Sequence, residues 1–130
     1  MKKKIYTNII MFNKFDFAKI YKLTNDTTNK IYIGSTCERY LCNRMAKHRN
    51  NYLRYTNNKT HKTTASEILK LDGITKIELL ENVICTNLQE LCKRERYYIE
   101  LNKDIVVNKN IPTRTAKERE QIKKINNSLN

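Results

Sequence analysis

No apolar run in this 130-residue sequence approaches the roughly 18 residues needed to cross a bilayer, since the longest candidate, residues 5–12, is broken by Thr7 and Asn8. A transmembrane helix is therefore not expected. The start, Met1-Lys2-Lys3-Lys4, imitates the charged head of a signal peptide, but the stretch behind it is short, interrupted and lacks a small-residue cleavage site before Asn13 and Lys14. The chain is read as intracellular, in cytoplasm or nucleus, and not secreted. Cysteine is sparse: Cys37, Cys42, Cys85 and Cys92 give C-x4-C and C-x6-C spacings, the second of which is poor for a zinc knuckle. Reduced thiols in an apolar setting are the better reading, with a zinc-organised structural protein as the lesser alternative. No internal repeat is found.

Carboxylates are scarce too. Thirteen Asp and Glu face 26 Lys and Arg, a formal charge of +13, which surrounds a 15.5 kDa body with a deep positive potential and makes polyanions its natural partners. Nucleic acid leads that class, ahead of an anionic membrane surface. Part of the basicity reflects codon bias, because Lys, Asn, Ile and Tyr, all encoded by A/T-rich codons, supply 58 of the 130 residues. Length fits one domain whose core buries about two-thirds of the surface of the unfolded chain.

Residues 1–16 have weak periodicity and read as a loose leader, residues 17–111 as the domain, and residues 112–130 as a basic tail, either a short exposed helix or a disordered arm. Residues 17–24 and 30–34 read as strands around the turn chemistry of Asn25 to Asn29. A four-residue loop would set Thr24 opposite Asn29 and therefore Tyr21 opposite Tyr32. Leu41, Met45, His48 and Tyr52 recur at helical spacing over residues 39–52. A short helix over residues 66–71, closed by Asp72-Gly73, and a third strand over residues 76–84 follow. Asn87-Leu88-Gln89-Glu90 has the form of a capping box opening a third helix, with Leu88, Leu91, Cys92, Glu95 and Ile99 on one face. Residues 104–108 read as a short return strand.

Three places carry candidate chemistry. Gly34, one of two glycines, closes the second strand, where it serves a bulge, a left-handed turn, close approach of a ligand or a plain turn; Ser35, Thr36 and nearby backbone N–H groups can hold a phosphate. Arg44 and His48, four apart, place a guanidinium and an imidazole on one helix side, as phosphate grip and proton carrier or as a solvated basic edge. Glu95 interrupts an apolar stripe, so its carboxylate must be ion-paired, protonated or bound to a metal.

Taken in order, Lys19-Ile20-Tyr21, Tyr32-Ile33-Gly34-Ser35-Thr36, Leu41-x-x-Arg44-x-x-x-His48, Arg94-Glu95-x-x-Tyr98-Ile99 and Asn108 closely resemble the GIY-YIG nuclease family over residues 18 to about 110. The resemblance implies a small α/β fold, a three-stranded and mainly antiparallel central sheet flanked by helices. It also implies a metal-dependent DNA endonuclease, with DNA as partner, no membrane and a monomeric state expected. Under it Tyr21, Tyr32, Arg44, His48 and Glu95 are catalytic, Gly34, Ser35, Thr36 and Asn108 bind or brace the substrate, and Glu95 ligates Mg²⁺ or Mn²⁺. Tyr21 is the general base in this reading, its phenolate supported by Arg44, the metal or His48. The first motif departs from the family in carrying Lys19 where the name-giving glycine stands. A non-catalytic nucleic-acid-binding module of the same fold is the alternative, and the A/T-biased composition fits a homing, phage or viral mobile-element nuclease.

Overall fold

The computed structural model describes residues 3–6, 9–113 and 115–128, with side chains from residue 13 onward. Lys3–Tyr6 (β1) and Ile9–Phe12 (β2), rich in strand formers, pair antiparallel with Lys3 opposite Phe12. The segment expected as a loose leader thus holds a two-stranded sheet of its own. A single 3₁₀ turn, Lys14–Phe17, follows, its first turn closed by the Asn13 side chain accepting from the Phe15 N–H at 2.9 Å.

Lys19–Asn25 (β3) lies between Tyr32–Thr36 (β4) and Thr75–Asn82 (β5), all antiparallel, in the order β4-β3-β5. The three-stranded antiparallel sheet flanked by helices is therefore as the sequence implies. The β3–β4 register is not. Tyr21 pairs with Gly34 and Leu23 with Tyr32, two residues away from the expected pairing of Tyr21 with Tyr32. The cause lies at Asn25, whose carbonyl oxygen accepts from the Thr27 N–H at 2.9 Å while its amide donates to Thr75 Oγ1 at 3.0 Å. That side-chain turn keeps residue 25 in the strand and lengthens the loop to residues 26–31. A shift of two preserves the side-chain faces, so both tyrosines still point the same way.

Being the central strand, β3 is buried on both faces. Ile20 joins Ile31, Ile33, Val83, Leu91 and Ile99 on one side. Tyr21 and Leu23 join Met45, Ala65 and Ile68 on the other. Each fully buried Ile or Leu here contributes roughly 1.5–3 kcal/mol of transfer free energy. The second face is covered by Leu41–Thr56 (α1), which buries Met45 and His48, and by the short Ser66–Leu69 (α2). The first face is covered by Leu88–Leu101 (α3), which buries Leu91 and Ile99. The Asn87 side chain caps α3 by accepting from the Glu90 N–H at 2.9 Å, and Glu90 accepts in return from the Asn87 amide, also at 2.9 Å. Leu88, assigned to the apolar face from its spacing, is 61 % exposed at the first helical position.

After α3 the chain passes the free edge of β4. The expected return strand reduces to one parallel bridge, Ile31 with Val106, made by Ile31 N–H to Ile105 C=O at 2.9 Å and Val107 N–H to Ile31 C=O at 2.8 Å. Asn108 completes the join. Its amide donates to the Ile33 C=O at 2.7 Å and its carbonyl accepts from the Ile33 N–H at 3.0 Å, so a side chain stands in for the next pair of ladder bonds. The basic tail forms a helix, Ala116–Ser128 (α4). Among the described residues no helix is long and apolar enough to cross a membrane.

Candidate active site

Tyr21 enters the site from the middle of β3 and is 0 % exposed. It faces Gly34 across the β3–β4 pair, and the glycine makes room for its ring: a Cβ there would stand against the Tyr21 hydroxyl, 2.6 Å from its Cζ and 3.0 Å from Tyr32 Cε2. The close approach at Gly34 is made by a phenol of the chain itself, which none of the readings left open for it named. Above this ring, α1 brings two partners one turn apart. Arg44 Nε donates to the Tyr21 hydroxyl at 3.0 Å, and that hydroxyl lies 2.6 Å from His48 Nε2.

The proton between Tyr21 and His48 can be assigned. Oη already accepts from Arg44, and a buried hydroxyl left without an acceptor would cost about 1–3 kcal/mol, so the O–H points to Nε2 and the imidazole carries its own proton on Nδ1. Electrostatics agree. Burial, then the neighbouring Arg44 charge, pushes the His48 pKa down to about 4, so the ring is neutral and free to accept. Burial is also the main cause holding the Tyr21 pKa above its ordinary value, seconded by Tyr32 and opposed by Arg44. Tyr21 is a neutral phenol wedged between an imidazole and a guanidinium.

A cleft of about 470 Å³ opens beside this cluster, and Tyr32, Arg44, His48, Glu95 and Asn108 form part of its wall. Tyr32, from the first residue of β4, packs edge-on to the His48 ring with centroids 5.6 Å apart. Its pKa is raised, first by burial and then by Glu95, with Arg44 pulling the other way. Glu95 comes from α3 on the opposite side of the sheet; burial holds its pKa up, against the opposing pull of Ser35 and then of the Arg44 charge. The expected alternative, a buried Arg–Glu pair at Glu95, is not formed among the described residues: Arg94 pairs with Glu81, and Arg96 with Glu100 and Glu118.

Such a carboxylate, half-buried and without an ion pair among the described residues, fits a hard cation held by one protein oxygen and otherwise by water and substrate. No group of three or more His, Cys, Asp or Glu gathers to hold a metal among the described residues, and all four cysteines are free. The zinc-organised alternative lacks its cluster.

The remaining expected residues serve the frame. Thr36 is buried, its hydroxyl accepting from the Glu38 N–H at 3.0 Å, and neither it nor Gly34 reaches the cleft. Asn108 lines the cleft, but both its amide atoms are committed to Ile33. Residues 109–113 and Arg119 of α4 also line the cleft, and sequence reading missed them. A signal was present: Thr115-Ala116-Lys117-Glu118 is a capping box, with Thr115 Oγ1 accepting from the Glu118 N–H at 3.1 Å and Glu118 accepting from the Thr115 N–H at 3.3 Å. It marks where a helix starts, though not what that helix packs against.

Residues 17–110 match the family model described as the GIY-YIG catalytic domain. No curated protein and no solved structure matches the chain.

Proposed function

The chain belongs to the GIY-YIG nuclease family, and on that footing we propose that it is a divalent-metal-dependent endonuclease that hydrolyses phosphodiester bonds in DNA. The observation that carries the reading is the convergence of Tyr32, Arg44, His48 and Glu95 on one cleft from three different elements. Phosphodiester hydrolysis requires an activated water, neutralisation of the charge that builds on the phosphate, and a stabilised leaving oxygen.

Arg44 spends Nε on Tyr21 and keeps its terminal nitrogens for a non-bridging phosphate oxygen, an interaction that strengthens as charge develops. Tyr32 takes the role of general base in place of Tyr21. Tyr21 is fully buried with its hydroxyl engaged on both sides, whereas Tyr32 forms part of the cleft wall, where it can take the proton of the attacking water. Burial and then the Glu95 charge disfavour the Tyr32 phenolate while the adjacent Arg44 charge opposes them, so the same guanidinium serves phosphate and base. Tyr21 is then a positioning residue, fixing the His48 tautomer and the Arg44 fork. Glu95 is the residue that would hold the cation, and Mg²⁺ or Mn²⁺ suits a single carboxylate with retained waters. When bound, the cation supplies Lewis-acid stabilisation of the leaving 3′ oxygen. Ser35 steadies the Glu95 carboxylate from β4. The A/T-biased composition supports a mobile-element setting, homing or phage.

Nicking of supercoiled plasmid by wild type and Glu95→Ala, with Mg²⁺, with Mn²⁺ and with EDTA, tests this reading. Wild type is expected to nick only with metal, and Glu95→Ala to lose at least about a hundred-fold in rate. Undiminished nicking by Glu95→Ala would remove the metal role from Glu95. DNA binding without nicking by any folded sample would establish the non-catalytic module instead.

A further inference from the structure

The basic tail is docked. Arg96, the residue after Glu95 on α3, donates through Nη2 to Glu118 Oε2 at 2.7 Å and through Nη1 to Glu118 Oε1 at 3.4 Å. The same Nη1 donates to the Thr113 carbonyl at 3.3 Å, and Nε to Glu100 at 2.8 Å. One guanidinium thus ties the first turn of α4, and the turn before it, to the helix that carries the acidic member of the site. Thr113 itself has φ of 60°, a left-handed conformation that a β-branched residue adopts only under constraint. That turn, Pro112-Thr113, lines the cleft and redirects the chain so that Arg119 also stands in the cleft wall. Arg119 is exposed, and no carboxylate pairs with it among the described residues, in contrast to Arg94 and Arg96.

Resting on the endonuclease reading, we infer that Arg119 is a substrate-positioning residue that grips a backbone phosphate next to the scissile one, held in place by the Arg96–Glu118 latch. Position supports a bound phosphodiester. The side chain lines the same cleft as Arg44 and Glu95, yet belongs to a helix beyond residues 17–110, which suits a phosphate beside the reacting one. An unpaired guanidinium presents a fork that matches two phosphate oxygens. Adjacent positions on α3 divide the labour: Glu95 faces the reacting phosphate, and Arg96 sets the helix that holds the neighbouring one.

Binding and cleavage separate the inference from the reading beneath it. Anisotropy of a short fluorescent DNA duplex is followed in EDTA across a salt series for wild type, Arg119→Ala, Arg119→Lys and, as a control for bulk charge, Lys103→Ala, an exposed residue away from the cleft. Plasmid nicking and thermal melting are measured alongside. Arg119→Ala is expected to weaken binding roughly ten-fold and to reduce the slope of log K against log salt by about 0.9, with an unchanged melting temperature. Lysine should restore the slope but not the full affinity, and Lys103→Ala should leave both near wild type. In nicking, KM should rise more than kcat falls. In a Glu118→Ala background, Arg119→Ala should cost less than it does alone, because the latch is already open. Wild-type affinity and slope in Arg119→Ala would overturn the inference, as would an equal loss in Lys103→Ala or a wild type that does not bind DNA. Failure of the wild type to nick, with the Arg119 effect on binding intact, would count against the endonuclease reading alone.

Discussion

At Gly34 a missing side chain decides the geometry of the chemistry. The Tyr21 ring occupies the space a Cβ would need, and it cannot retreat, because Arg44 and His48 hold its hydroxyl from the other side. Gly34→Ala is expected to displace the phenol, lower nicking at least ten-fold and cost about 1–3 kcal/mol in stability, read by plasmid nicking and thermal melting. Combined with Tyr21→Phe, which removes the atom nearest the new methyl, it should cost less than the sum of the two single changes. The site's residue types were legible from their order along the chain, since Tyr, Arg, His, Glu and Asn recur at family spacing. The division between the tyrosines was not. Which phenol is buried and which lines the cleft follows from the β3–β4 register, and that register turns on the side-chain hydrogen bonds of Asn25.

Elements show the same contrast. Turn residues made β3 and β4 readable and the helical spacing of apolar residues made α1 and α3 readable, and the Asn87–Glu90 capping box gave the start of α3 to the residue. Pairings between distant segments were not readable, because nothing near residues 104–108 announces which edge they meet. There Asn108 acts as a splice, its amide offering one donor and one acceptor to Ile33 where two short segments cannot form a ladder. Asn108→Ala is expected to destabilise the fold by about 2 kcal/mol, two hydrogen bonds' worth, with a lower urea midpoint and an unchanged m-value. Asn108→Asp should be worse, since it sets an acceptor against the Ile33 carbonyl. A fall in activity without loss of stability in Asn108→Ala would instead give its amide a direct part in substrate binding.

For the whole molecule, the arrangement sets an acid limit. An unfolded chain protonates His48 as pH falls through 6.5, whereas the folded chain resists until about 4. The stabilisation is therefore complete above 6.5 and is lost between 6.5 and 4, amounting to roughly 3 kcal/mol. Glu81, held below its ordinary 4.5 chiefly by its hydrogen bond from Arg94, adds stability that is present above 4.5 and lost as pH falls below it. Melting temperature is expected to decline in two stages on acidification, with His48→Gln flattening the upper stage only; a wild-type profile flat from neutrality to about pH 4 would contradict the assignment. The +13 charge deepens both losses, because each proton taken up adds to self-repulsion.

Asn108 and Ile33 meet across 75 positions of sequence, and β3 finds β5 only after α1 and α2 have been made. Contacts of such range are slow to form, and the ends of so long a loop come together only at an entropic cost that later contacts must recover. On a growing chain Tyr21, Tyr32, Arg44 and His48 are synthesised well before Glu95 and the Asn108 splice that pins β4. Until residue 108 has been made, a chain that already carries most of the site's side chains lacks the contacts that assemble them.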